Sequence, residues 1–468
     1  MSRERVVVVG AGMAAVRFAQ ELADRPGAPE VVVLGDERHA PYNRILLSAV
    51  LEGTHDPGAL AMPVPAGVDL RLDARVVEVH RAQREVELAD RSRLGYDRLV
   101  LATGSIPTLP PIRGLVKVDG RLDDRVHAFR SLDDCRRLAA AVAATTGPVP
   151  ASAVVVGGGL LGLQVARALA VRGLRTEVVE GGEHLLRSQV GPAAGAILAR
   201  DLARLGTTSY TGARAVRLTD DGLRLDNGVT LETDLVVLTA GGRPSTALAR
   251  RAGLEVRRGV VVDHRLRTSD PLVHAIGDCA ETEDADGRRR TTGFVPPAWE
   301  QAGVLAALLA GEDATYDGSR VVARLRATGL DVAVLGEPER AEGEVVEVSN
   351  PVTGSHRRLV VRDGRIVAAT LVGDLARVGL ITQHFDRGTV LGLTEPSDLL
   401  MVDRPTRPAR LPDDAEVCAC AGVSAGRVRG CSSLAEVRDT TRATTGCGGC
   451  AETVRTLLAT RPLQGVPS

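Results

Sequence analysis

Val6-Val7-Val8-Val9-Gly10-Ala11-Gly12-Met13-Ala14-Ala15 is the stretch that decides the fold. Four consecutive valines read as a strand buried on both faces of a parallel sheet. Gly10 and Gly12 permit a tight turn and the close approach of a pyrophosphate. Ala15 lets the next helix, with apolar Val16, Phe18, Ala19 and Leu22, lie close on the strand. The start of that helix offers backbone N–H groups and a positive dipole end to a phosphate. A second strand, Val31-Val32-Val33-Leu34, ends at Gly35-Asp36-Glu37. An acid at that place can bind a ribose hydroxyl, and Asp36 is the candidate.

The unit recurs. Ala153-Val154-Val155-Val156 leads into Gly157-Gly158-Gly159-Leu160-Leu161-Gly162, and a strand through Val179 ends in Glu180. Two complete fingerprints in one chain predict an α/β protein holding two dinucleotides, FAD and a nicotinamide. Glu180 accepts hydrogen bonds from a free ribose 2′-hydroxyl and repels a 2′-phosphate, which favours NADH over NADPH. Arg187, nearby in sequence, softens that preference.

The chain has 468 residues and a net charge of −1, with 44% hydrophobic and 25% charged residues. At roughly 100–200 residues per domain this predicts about three domains. A near-neutral balance excludes nucleic-acid binding through a strongly basic surface. Met1-Ser2-Arg3-Glu4-Arg5 is no signal peptide, and no apolar run reaches the roughly 20 residues that span a bilayer. The expected location is the cytoplasm, with no membrane partner. Clustered cysteines there read as metal or redox ligands before they read as disulfides.

With these motifs in place, the chain resembles the flavoprotein disulfide reductase superfamily with two dinucleotide-binding domains. Leu99 to Pro107, containing Thr103-Gly104, is similar to the family stretch that returns the chain to the FAD domain. Leu238 to Pro244, containing Gly241, resembles the second such return, and Gly241 is the expected NAD contact. Thr268 to Cys279 resembles the second FAD motif, which implies Gly277 and Asp278 at the flavin ribityl chain. Pro296-Pro297-Ala298-Trp299-Glu300-Gln301 resembles the segment near the flavin ring, with Trp299 as a possible catalytic neighbour. The resemblance implies FAD segments at 1–112 and 243–310 and an NAD(H) domain at 113–242. An α+β interface domain at 311–401 follows.

The flavin site lacks a redox dithiol. No Cys-x4-Cys or Cys-x2-Cys falls in the first 400 residues, and Cys135 and Cys279 are isolated, so both are expected to be packing residues. Dithiol chemistry is excluded and electrons must leave another way. Pro41-Tyr42-Asn43-Arg44-Ile45-Leu46-Leu47-Ser48-Ala49 resembles the ferredoxin and rubredoxin reductase branch, where a Lys follows the Ser; here it is Ala49. The form is more similar to the N-terminal half of NAD(P)H nitrite reductase large subunits and to electron-transfer subunits of assimilatory nitrate reductases. Arg44 can pair with the FAD pyrophosphate or the flavin edge, or be one more surface arginine. Gln164 stands where many relatives have Glu, which puts a proton-linked role there in doubt.

Pro405, Pro408 and Pro412 mark 402–414 as a semi-rigid linker. Beyond it, Cys418-Ala419-Cys420 and Cys447-Gly448-Gly449-Cys450 offer four thiolates, which suit Zn²⁺ or an iron–sulfur cluster. The Cys-x-Cys spacing counts against a zinc ribbon. Ser433-Leu434-Ala435-Glu436 reads as a capping box opening a helix, and Ser424 as the cap of a shorter one. Residues 415–462 resemble the bacterioferritin-associated-ferredoxin-like [2Fe–2S] domain, a small helical domain. The match implies Cys418, Cys420, Cys447 and Cys450 as ligands and leaves Cys431 as packing.

The assembled expectation is an NADH-oxidising reductase passing electrons through FAD and [2Fe–2S] to a partner. Nitrite reductase large subunits continue into siroheme and [4Fe–4S] domains that this sequence lacks. The favoured acceptor is therefore a molybdenum nitrate reductase catalytic subunit. The alternatives are a ferredoxin or rubredoxin reductase, or an electron-donating component of a nitrite reductase.

Overall fold

The valine runs form sheet centres. In the computed structural model, which describes residues 4–145, 150–284, 287–401, 411–446 and 448–459, strand Arg5–Val9 lies between Glu30–Leu34 and Arg98–Leu101, all parallel. Asp69–Arg71 and Val273–Ala275 complete a five-stranded parallel sheet. Val6, Val7 and Val8 are fully enclosed, as a sheet covered on both faces requires. Helix Met13–Ala23 buries Ala15, Val16, Phe18, Ala19 and Leu22, and helix Val295–Leu309 packs against it.

The second fingerprint builds the same way. Strand Ser152–Val156 lies between Arg175–Glu180 and Leu235–Leu238, with Thr207–Thr211 and Val126–Ala128 outside them, again all parallel. Helix Leu160–Val171 follows its glycine turn, and helix Leu132–Ala144 opens on a reciprocal box between Ser131 and Asp134.

The sheet after residue 321 is antiparallel. Five strands run in the order Val322–Ala327, Leu330–Leu335, Arg365–Val372, Ser355–Arg362, Glu344–Asn350. Asp363 and Gly364 both take positive φ, at 51° and 69°, so the expected hairpin turn is present with the twist that suits its strands. At the C-terminal end, hairpin Glu416–Cys418 with Val423–Ser424 and helices Ala425–Gly430, Leu434–Thr441 and Ala451–Ala459 share a small core of Val423, Val428, Val437 and Val454. Ser424 and Ser433 cap two of these helices. Glu436 takes the N–H and hydroxyl of Ser432, so its carboxylate reaches one residue before the cap. Cys431 is not on a helix but ends Ala425–Gly430 as its C-cap. Residues 402–410 of the expected linker lie outside the described residues.

Internal contacts divide the chain into two units. The first comprises residues 1–45, 60–108 and 241–321, and the second 46–59, 109–240 and 322–468. The excursion from Leu46 to Ala59 thus belongs with the second unit, where helix Leu47–Glu52 packs on helices Leu132–Ala144 and Leu160–Val171. Among the described residues, no helix is long and apolar enough to cross a membrane.

Candidate functional sites

In the first unit the glycine turn is sterically dictated. A Cβ on Gly10, whose φ is +110°, would lie 2.3 Å from the Ala102 carbonyl oxygen. Gly12 caps helix Met13–Ala23 in an extended conformation, and a Cβ there would meet nothing within 4 Å. That opening lies before the unpaired N–H groups of the first helical turn, a place for phosphate. Asp36 is exposed, 4.0 Å from Arg75. Its neighbour Glu37 accepts from the Tyr42 hydroxyl at 2.7 Å and from Arg44 at 2.8 Å. Burial works against the Arg44 charge, but Tyr42, Glu37 and Asp278 together outweigh it and hold the guanidinium charged.

The chain returns converge on the same region. Asp278 accepts from the Ser105 hydroxyl at 2.8 Å, and the Gly277 N–H donates to Gln301 Oε1 at 2.7 Å. Gly277 has φ +76° and Gly104 φ +65°, conformations that favour glycine. The Thr103 hydroxyl donates to the Ser245 carbonyl at 2.8 Å, and the Gly241 carbonyl accepts from Thr108 N–H at 3.0 Å. Gly241, expected beside the nicotinamide dinucleotide, therefore sits in the first unit. The Trp299 ring lies 5.3 Å under the Arg17 guanidinium, and its indole N–H is buried with no hydrogen-bond partner among the described residues. Cys279 is fully buried, and its thiol contacts the Leu101 and Ile276 carbonyls at 3.3 Å, a packing role.

In the second unit, a Cβ on Gly157 would meet the Thr239 carbonyl oxygen at 2.7 Å, and Gly159 again opens the helix onto empty space. Gly162 is tighter: its Cβ would sit 1.8 Å from the Gly157 carbonyl oxygen. Glu180 does more than wait for a ribose. One carboxylate oxygen accepts from Gly158 N–H and the other from Gly182 N–H, both at 2.7 Å, which ties the strand end to the glycine loop. Arg187 is 3.8 Å away, and Arg214 packs along Gly181. Cys135 is buried with its thiol on the Leu47 carbonyl, and burial raises it to about 11, which leaves it protonated and inert.

The cysteine centre lies in the second unit too. Hydrogen bonds with Cys420 and then Cys450 hold the Cys418 thiol well below the ordinary range, against the effect of burial. Cys450 Sγ accepts from Thr444 N–H at 3.2 Å. Thr444 and Arg442 both take positive φ, at 67° and 62°, a strained path for a β-branched residue. That path turns a backbone N–H onto the sulfur. Three converging thiols with backbone donors fit a thiolate-held iron–sulfur cluster. Cys447, the fourth candidate, lies outside the described residues.

Three contributors were not legible in the sequence. Ser105 and Gln301 hold the Asp278 loop, and no motif singled out their hydrogen bonds. His55 Nε2 lies 2.9 Å from the Thr445 carbonyl oxygen and 3.0 Å from that of Gly446. Nothing local in the sequence signals a pairing across that separation.

Residues 4–302 match the pyridine nucleotide-disulphide oxidoreductase model, 322–388 the rubredoxin NAD⁺ reductase C-terminal domain, and 416–460 the BFD-like [2Fe-2S] binding domain. Nitrite reductase [NAD(P)H] of Bacillus subtilis is 32% identical, over 98% of this chain and 58% of its own length. The assimilatory nitrate reductase electron transfer subunit of the same organism is 28% identical, over 98% of this chain and 60% of its own. The chain thus spans about three-fifths of these relatives. Putidaredoxin reductase, solved in covalent complex with putidaredoxin, aligns with a TM-score of 0.76 at 24% identity, over 86% of this chain and 97% of its own.

Proposed function

The chain belongs to the pyridine nucleotide-disulphide oxidoreductase family, and from that premise we propose that it carries electrons from NADH through FAD and a [2Fe–2S] cluster to a separate redox protein. The observation that carries this reading is the centre of Cys418, Cys420 and Cys450. The thiols placed near the dinucleotide folds, Cys135 and Cys279, are each free and buried. The cysteine centre is then the exit that the missing redox dithiol would otherwise provide.

When bound, FAD accepts a hydride and so two electrons, whereas a [2Fe–2S] cluster carries one at a time. The chain's own residues position and insulate these groups. Gly10, Gly12, Ala15, Thr103, Gly104 and Gly277 would let backbone approach FAD, Asp36 would take a ribose hydroxyl, and Asp278, steadied by Ser105, would hold the ribityl chain. Arg44 supplies positive charge to the pyrophosphate or flavin edge. Gly157, Gly159 and Gly162 would form the NAD(H) cradle, and Glu180 would select the 2′-hydroxyl while pinning the glycine loop. Cys418, Cys420, Cys447 and Cys450 hold the cluster.

The acceptor we favour is the molybdenum catalytic subunit of an assimilatory nitrate reductase, in the cytoplasm, where thiolates stay reduced. Support comes from the likeness to an assimilatory nitrate reductase electron transfer subunit across nearly the whole chain. The purified chain should show flavin absorbance, iron, and an EPR signal of a reduced [2Fe–2S] cluster after NADH is added. It should restore NADH-dependent nitrate reduction to the catalytic subunit. Zinc without an EPR signal, or full NADH-dependent turnover by the catalytic subunit alone, would refute the proposal.

A further inference from the structure

The segment Leu46–Ala59 is shaped to present one side chain. Helix Leu47–Glu52 stops at Gly53, whose φ of +91° reverses the chain. The N–H groups of Gly53, Thr54 and His55 all turn back onto the Ala49 carbonyl. This cap fixes His55. Its Nε2 then faces two acceptors, the carbonyls of Thr445 and Gly446, at 2.9 and 3.0 Å. Since a carbonyl only accepts, Nε2 must carry the proton. The Thr54 hydroxyl lies 3.3 Å from Nδ1, on the other side of the ring. A second tie runs from the Arg442 guanidinium to the Ala59 carbonyl, and Leu46 lines the space beside Gly446 and Cys420. Thus both ends of the segment grip the loop that leads into Cys447.

We propose that His55 is a positioning residue for the cluster loop, tuning the cluster's potential and its rate of reduction through the Thr445 and Gly446 carbonyls. This rests on the electron-transfer reading above. The two carbonyls follow directly on Thr444, whose N–H donates to Cys450 Sγ at 3.2 Å, and the Thr445 carbonyl shares its peptide unit with the Gly446 N–H. A donor on a peptide carbonyl polarises that unit and strengthens its N–H as a donor. N–H groups around thiolates are what tune an iron–sulfur centre. The balance is simple: one NADH yields NAD⁺, one proton and two electrons, and the electrons reach the cluster singly.

The test uses the full holo-chain with His55→Ala and His55→Gln. In H55A, iron content and NADH oxidation with ferricyanide should match the parent. The cluster should reduce about two- to tenfold more slowly in stopped flow, as loss of one hydrogen bond predicts. Its EPR line positions should move and its midpoint potential fall. In H55Q, whose amide N–H donates to the same carbonyls, all three should return most of the way. H55A with unchanged EPR, potential and cluster reduction rate overturns the inference, as does H55Q behaving like H55A. If H55A loses its iron, H55Q decides: a retained cluster with near-parental potential supports the role, and equal loss of iron overturns it. Absence of a [2Fe–2S] signal in the parent chain is a different failure, that of the electron-transfer reading itself.

Discussion

Gly162→Ala adds a single methyl group at a place where the structure leaves no room. The new Cβ would stand 1.8 Å from the Gly157 carbonyl oxygen and 2.9 Å from Thr239 Oγ1. An ordinary contact of about 3.2 Å requires the helix to retreat by about 1.4 Å in a close-packed interior. Thr239 resists that retreat, because its hydroxyl donates to the Val156 and Gly157 carbonyls at 3.1 and 3.2 Å. Overpacking of this kind costs about 1–3 kcal/mol. Charged to the conformation that cradles the pyrophosphate, it weakens NADH binding by about 5- to 150-fold. The assay is anaerobic stopped-flow reduction of the flavin at increasing NADH, which separates the half-saturation concentration from the limiting rate. FAD content should stay at one per chain, because the first unit is untouched. The first fingerprint supplies a control: Ala15 already occupies the third position there and is fully buried, so Ala15→Gly should cost only about 1 kcal/mol and leave FAD bound. NADH saturation of G162A indistinguishable from the parent would refute the packing argument.

Glu180→Ala should lower the NADH-to-NADPH preference by about tenfold or more, since it removes both the proposed ribose acceptor and the two amide anchors on Gly158 and Gly182. An unchanged ratio of kcat/KM values for the two cofactors would show that Glu180 does not select. His274 should make stability depend on pH. Burial lowers it from about 6.5 to about 4, so the unfolded chain takes up a proton first as pH falls. The contribution of the neutral ring is complete above about pH 6.5. It is lost between there and pH 4, about 3 kcal/mol in all. Urea midpoints at pH 7.5 and 4.5 should therefore converge in His274→Leu relative to the parent, and an unaltered gap would count against this account.

Much of the dinucleotide architecture was legible because its requirements are steric and local. Gly10, Gly157 and Gly162 stand where any side chain would strike a carbonyl oxygen, and such positions leave the same mark wherever the turn recurs. The valine runs and the helix faces beside them report burial directly. The Asp363-Gly364 turn was readable for a similar reason, since both residues must take positive φ. The unreadable features depend on partners far along the chain. The second role of Glu180 comes from loop amides that happen to face it, not from its own neighbours. His55 and its carbonyl acceptors are joined only by the folded path of a segment whose local pattern says helix and turn. Cys431 looked helical because its flanks are, but the short helix before it ends one residue earlier.

The chain passes between its two units at residues 45/46, 59/60, 108/109, 240/241 and 321/322. That interleaving imposes an order on synthesis. Strand Val273–Ala275 is the edge partner of Arg98–Leu101, so the first sheet stays open on that side while all of 109–240 emerges from the ribosome. Until it closes, Arg98–Leu101 offers unpaired N–H and C=O groups to any extended chain nearby. The first unit therefore matures only after much of the second has been made. A chain released before residue 273 is a candidate for aggregation rather than a smaller flavoprotein.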